Sequence, residues 1–96
     1  LSHELFDNDA IVLTNMSRQV TLEAEGDPHS VCVTFPQMQY LGLWHWPKTD
    51  APYVCIEPWC SLPASENTIT VFENQTDLIK LDPSNTYKNR WTIQIR

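Results

Sequence analysis

The chain has 96 residues, enough for one domain with a thin core, because a chain of that length buries only somewhat over ~60% of its unfolded surface. Its formal charge of −6 comes with Lys and Arg scattered singly, so no basic patch is available for a phosphate backbone and no nucleic-acid partner is expected. No apolar run approaches the ~18 residues that span a bilayer, and no charged-then-apolar leader is visible, so no membrane partner is expected either.

Two glycines, seven prolines and the lack of any long helical period predict strands and loops. Leu1 stands where a Met would open a gene product, and the pattern from Asp7 to Leu13 already reads as a strand, which suggests a piece of something longer. Strands are predicted at Ala10 to Thr14, Gln19 to Ala24, Ser30 to Phe35, Tyr40 to Trp44, Tyr53 to Trp59 and Arg90 to Ile95. Thr68 to Phe72 reads as a weak strand or a loop.

Turns are expected at Gly26-Asp27-Pro28, across Trp46 to Pro52, and at Asp82-Pro83-Ser84-Asn85. Strands at such even spacing suggest an all-β fold, an antiparallel sandwich or barrel. In the last strand Trp91, Ile93 and Ile95 alternate with Thr92, Gln94 and Arg96, the pattern of a half-buried strand.

Cys32, Cys55 and Cys60 are odd in number and lack C-x-x-C spacing, which argues against a disulfide framework and a structural zinc site and favours reduced thiols in a cytoplasm. Asn15-Met16-Ser17 and Asn74-Gln75-Thr76 match a glycosylation sequon, and without a leader they read as chance matches.

The informative stretch is "APYVCIEPWCSLPASEN", residues 51 to 67. Strand alternation puts Tyr53, Cys55, Glu57 and Trp59 on one face and Val54, Ile56 and Pro58 on the other. A carboxylate in a row of aromatic rings suits a sugar, whose C–H faces stack on rings while its hydroxyls need hydrogen bonds. Partly shielded from water, such a carboxylate also accepts a proton more readily. Periodicity leaves the alternative open, a Glu57 satisfied by a nearby Lys, Arg or backbone N–H.

"GLWHWPKTDAPYVCIEPWCSLPASEN" followed by "IKLDPSNTYKNRWTIQIR" resembles the C-terminal part of the aldose 1-epimerase (galactose mutarotase-like) family, in particular a bacterial branch with a "CIEPW" signature. "LFDNDAIVL" is a weaker supporting match. The resemblance covers essentially the whole chain, so residues 1–96 would be the C-terminal portion of one β-sandwich domain, part of a β-supersandwich.

The resemblance implies an enzyme that interconverts the α and β anomers of free hexoses such as galactose or glucose, with no cofactor. It makes Glu57 the general base at the C1 hydroxyl and gives an upstream aspartate a role in binding sugar hydroxyls. Asp9 is the better match, since the apolar run starts directly after it, and Asp7 is the second. Either is alternatively a solvated carboxylate ahead of a strand.

Trp44 is the preferred stacking residue, with Trp59 and Trp46 as further candidates, against ordinary core or rim packing for each. The family's two histidines lie in an earlier part of the fold, and His3, His29 and His45 match neither. His29 reads as a surface residue, and His45 should point away from Trp44 and Trp46.

Two readings from other classes stand beside the enzyme: a carbohydrate-binding module without turnover, and a structural fragment that self-associates through exposed strand edges. A hydrolase is disfavoured, with no G-x-S-x-G elbow and only one well-argued carboxylate.

Overall fold

A computed structural model describes all residues, Leu1–Arg96. Six strands form: β1 (Ile11–Thr14), β2 (Gln19–Glu23), β3 (Ser30–Thr34), β4 (Tyr40–Trp44), β5 (Cys55–Trp59) and β6 (Thr92–Ile95). They build two antiparallel three-stranded sheets, ordered β1-β4-β5 and β2-β3-β6. The fold is all-β, with single 3₁₀ turns at His3–Phe6 and Phe72–Asn74 as its only helical pieces.

Each expected strand forms, trimmed by one or two residues at some ends. One expectation fails. Asp7 to Ala10 is turn rather than strand, because the 3₁₀ turn at His3–Phe6 runs into it and Asp9 takes a φ of 91°. Of the two readings of Thr68 to Phe72, the loop is the one found: no neighbouring strand is there to pair with it, and Phe72 opens the second 3₁₀ turn.

The register defines the faces. In the first sheet Leu13 opposes Leu41, and Leu41 opposes Pro58; Ile11 opposes Leu43, and Leu43 opposes Ile56. In the second, Val20 opposes Val33 and Leu22 opposes Val31, which pair onward with Ile93 and Ile95. These two apolar faces look at each other. Between them Val33, Phe35, Met38 and Leu41 form the buried core, with Val20, Val31, Leu43 and Ile56 packed against it.

Burying a side chain such as Phe35 or Leu41 stabilises the fold by about 1.5–3 kcal/mol. The core is nonetheless small. The accessible surface is 7726 Å², against roughly 5,700 Å² for a compact chain of 11.1 kDa. The radius of gyration, 16.1 Å, likewise exceeds the about 12.5 Å of a compact chain of this length.

Much of the excess lies in the C-terminal third. Ile69, Val71, Phe72 and Leu81 are exposed, as are Trp91, Ile93 and Ile95. The half-buried strand expected at residues 90–95 therefore has the right alternation and the wrong burial. Its apolar residues do sit on the inner face of the second sheet, but the first sheet does not extend over them. Trp91 and Ile93 line an open apolar groove with Val31, Val33, Ile56 and Pro58.

Local hydrogen bonds fix the connections. Gly26, at φ 80°, takes the left-handed turn between β2 and β3 that a side chain would oppose, and Asp27 accepts from the His29 backbone N–H at 2.9 Å. Those bonds hold the Asp27 carboxyl below its ordinary value. After β5, Asp77 accepts the Leu62 backbone N–H at 2.6 Å, which also lowers its pKa, and Gln75 donates to the Leu62 carbonyl at 3.2 Å. No helix is long and apolar enough to cross a membrane.

Candidate functional site

The outer face of the first sheet, turned away from the core, carries the residues opposite in parity to Leu41 and Leu43. Trp44 pairs with Cys55, Gly42 with Glu57 and Tyr40 with Trp59, so these six positions share that face. Val12 and Thr14 of β1 continue it. Glu57 stands at the centre of β5, half-buried like the rest of the strand.

β5 is an edge strand, paired only with β4. That explains how it tolerates Pro58: a residue with no N–H is admitted at a sheet edge and excluded from its middle. The edge also leaves one flank of Glu57 open to a ligand. Its other flank faces Gly42, where the Trp59 indole takes the space a side chain would fill.

The outer face gathers three of the expected site residues, Glu57, Trp59 and Trp44. The Trp44 ring also meets Trp46, at 6.1 Å between centroids, and Tyr53, at 6.5 Å, so an aromatic group gathers at the Cys55 end. Trp46 itself is 62% exposed, beyond the strand.

Asp7 and Asp9 sit in the turn that leads into β1, near the end of β4, and not on a strand where they would face the same way. Asp9 accepts the Ala10 backbone N–H at 2.8 Å. Asp7 accepts the Lys48 backbone N–H at 3.2 Å, tying the N-terminal segment to the β4–β5 loop. Both carboxylates are exposed and keep lone pairs free for other donors.

His45 points away from its Trp neighbours, as alternation requires, and so lies on the core side of the sheet. It is only 2% exposed, packed against Phe6 with ring centroids 4.6 Å apart and the rings tilted by 55°, and its Nε2 lies 3.3 Å from His3 Nδ1. Its Nδ1 is buried with no partner. His45 and His3 thus pack on the side of the sheet opposite Glu57. His29 is a surface residue in the β2–β3 turn, hydrogen-bonded to Asp27.

Sequence reasoning passed over Gly42 and Tyr40, both on the Glu57 face. A signal for Gly42 was present. A glycine inside an otherwise apolar strand, "YLGLW", marks a place where another group comes close to the backbone. No three His, Cys, Asp or Glu side chains gather into a metal-binding group.

Two curated relatives carry the comparison with known proteins. Over 96 residues the chain is 31% identical to "Protein LacX, chromosomal" and equally to "Protein LacX, plasmid", both of Lactococcus lactis subsp. lactis. The chain is similar to LacX. The match takes in 99% of this chain and 32% of each relative, so the chain spans about a third of their length. No family model matches the chain, and no solved structure matches it.

Proposed function

We propose that this chain supplies the general-base strand of an aldose 1-epimerase-like protein, of the branch that carries the CIEPW signature, acting on a free hexose such as galactose or glucose. The observation that carries the reading is Glu57, half-buried on an open sheet edge among Trp44, Tyr40 and Trp59 and away from the core. The similarity to LacX over 99% of the chain supports it.

Glu57 takes the proton of the C1 hydroxyl. The electron pair left on that oxygen forms the aldehyde C=O, and the bond from C1 to the ring oxygen breaks, its pair going to the ring oxygen, which takes a proton from an acid. Rotation about C1–C2 and reversal of these steps give the other anomer. No electrons leave the sugar, so the step needs no redox cofactor. Asp9, with Asp7 behind it, binds hydroxyls at the Trp44 end of the sheet.

No histidine stands beside Glu57 to act as the acid: His45 is buried on the opposite side of the first sheet, the exposed His3 pairs with it there, and His29 lies in a turn of the other sheet. The proton for the ring oxygen therefore comes from outside this strand pair. That same arrangement favours the second reading, a carbohydrate-binding surface without turnover, in which the aromatic face alone is used.

Polarimetry of freshly dissolved α-D-glucose and α-D-galactose separates them. The enzyme reading expects acceleration over buffer that falls ~10²- to 10⁴-fold in Glu57→Gln, with sugar affinity largely kept. A binding surface gives no acceleration and a change in affinity alone. Neither acceleration nor binding removes both.

A further inference from the structure

Gly42 is buried although it has no side chain to hide, and what hides it is Trp59. A β-carbon placed on Gly42 would lie 2.6 Å from Cζ2, 2.9 Å from Cη2 and 3.0 Å from Cε2 of the indole. Those separations are too short for carbon atoms that are not bonded. Trp59 is paired directly with Tyr40, so its ring leans along the diagonal of the ladder to reach the position across from Glu57. Gly42 is not among the residues with positive φ, so the backbone does not demand glycine there; the indole does.

We propose that Gly42 is a positioning residue: it seats the Trp59 indole against β4 beside Glu57, as an apolar floor for the C–H face of a pyranose whose hydroxyl edge meets the carboxylate. The sugar rests on the function proposed above, while the seating rests on geometry alone. An indole held flat offers its face to C–H groups. One forced upright by a methyl group at position 42 would offer its edge and obstruct the open flank of Glu57.

The chain with Gly42→Ala is the direct test, read two ways. In ¹H–¹⁵N spectra, with the Trp59 indole N–H assigned from Trp59→Phe, Gly42→Ala is expected to shift that resonance and increase its exchange with water. In sugar titration and polarimetry, Gly42→Ala is expected to raise Kd or KM about three- to tenfold, the range of one aromatic contact, with a smaller effect on kcat.

Combining Gly42→Ala with Trp59→Ala is expected to weaken binding no further than Trp59→Ala alone, because the methyl then has no ring to displace. An unmoved Trp59 resonance, or fully additive losses, would overturn the seating. If Gly42→Ala does not fold, Trp59→Phe decides instead: a raised Kd or KM supports the floor, and an unchanged one overturns it. A parent chain that responds to neither sugar overturns the ligand assignment together with the proposed function, and the Trp59 resonance then reports on the seating separately.

Discussion

β5 and β6 are both edge strands of three-stranded antiparallel sheets, and each turns apolar residues toward the space between the sheets. β5 is half-buried along its whole length, whereas every residue of β6 is exposed. The difference is in what covers each strand. β5 has Ile56 against the core on one side and the Trp59 ring folded onto β4 on the other. β6 has its partner β3, a Gln37 side chain accepting the Arg90 backbone N–H at 2.8 Å just ahead of the strand, and only an open groove over its inner face. Alternation of apolar residues specifies which face of a strand seeks burial, and neighbours decide whether it is buried.

The sharpest way to break this comparison is to remove the same side chain from both strands. Ile56→Ala, at the core, is expected to cost about 2 kcal/mol in urea unfolding, and Ile93→Ala, 55% exposed, less than about 1 kcal/mol. Equal losses would mean that β6 is as well packed as β5 in solution.

A smaller effect is expected on association. The surface in excess of a compact chain is roughly 2,000 Å², within the range of stable interfaces, and β6 offers both an unpaired edge and exposed apolar side chains. Sedimentation of the parent chain should show concentration-dependent self-association, weakened by Ile95→Lys. An unchanged distribution would place any contact elsewhere than β6.

The smallest effect is expected at the β2–β3 turn. The Asp27 carboxyl is lowered below 3.8 by the His29 backbone N–H and then its ring, so the folded state holds the proton less tightly than the unfolded chain. Its contribution is fully present above that value and is lost as pH falls through the lowered one. Acid titration should therefore loosen this turn below about pH 3.8, seen as faster exchange at the His29 amide, and Asp27→Asn should weaken that dependence.

The candidate site was partly legible. Glu57 and its aromatic neighbour Trp59 follow from a period of two, because strand alternation needs no knowledge of the fold. Trp44 falls on the same face only because β4 pairs with β5 in one particular register. A shift of one residue would have sent it to the core side, where His45 now lies. Asp7 and Asp9 were legible as a pair but not as a turn, since the 3₁₀ segment that redirects them is stabilised by Phe6 packing on His45, a contact between residues far apart in the chain.

The amino-acid order by itself determined the strands, their two-faced character and the carboxylate among aromatic rings, all consequences of local geometry and of apolar groups leaving water. Tertiary structure decided the rest. It put His45 and Glu57 on opposite sides of one sheet, left the inner face of β6 uncovered, and used the missing side chain of Gly42 to lay Trp59 beside Glu57. Each of these depends on which strands pair and on what lies over them, a choice made by packing across the chain rather than along it.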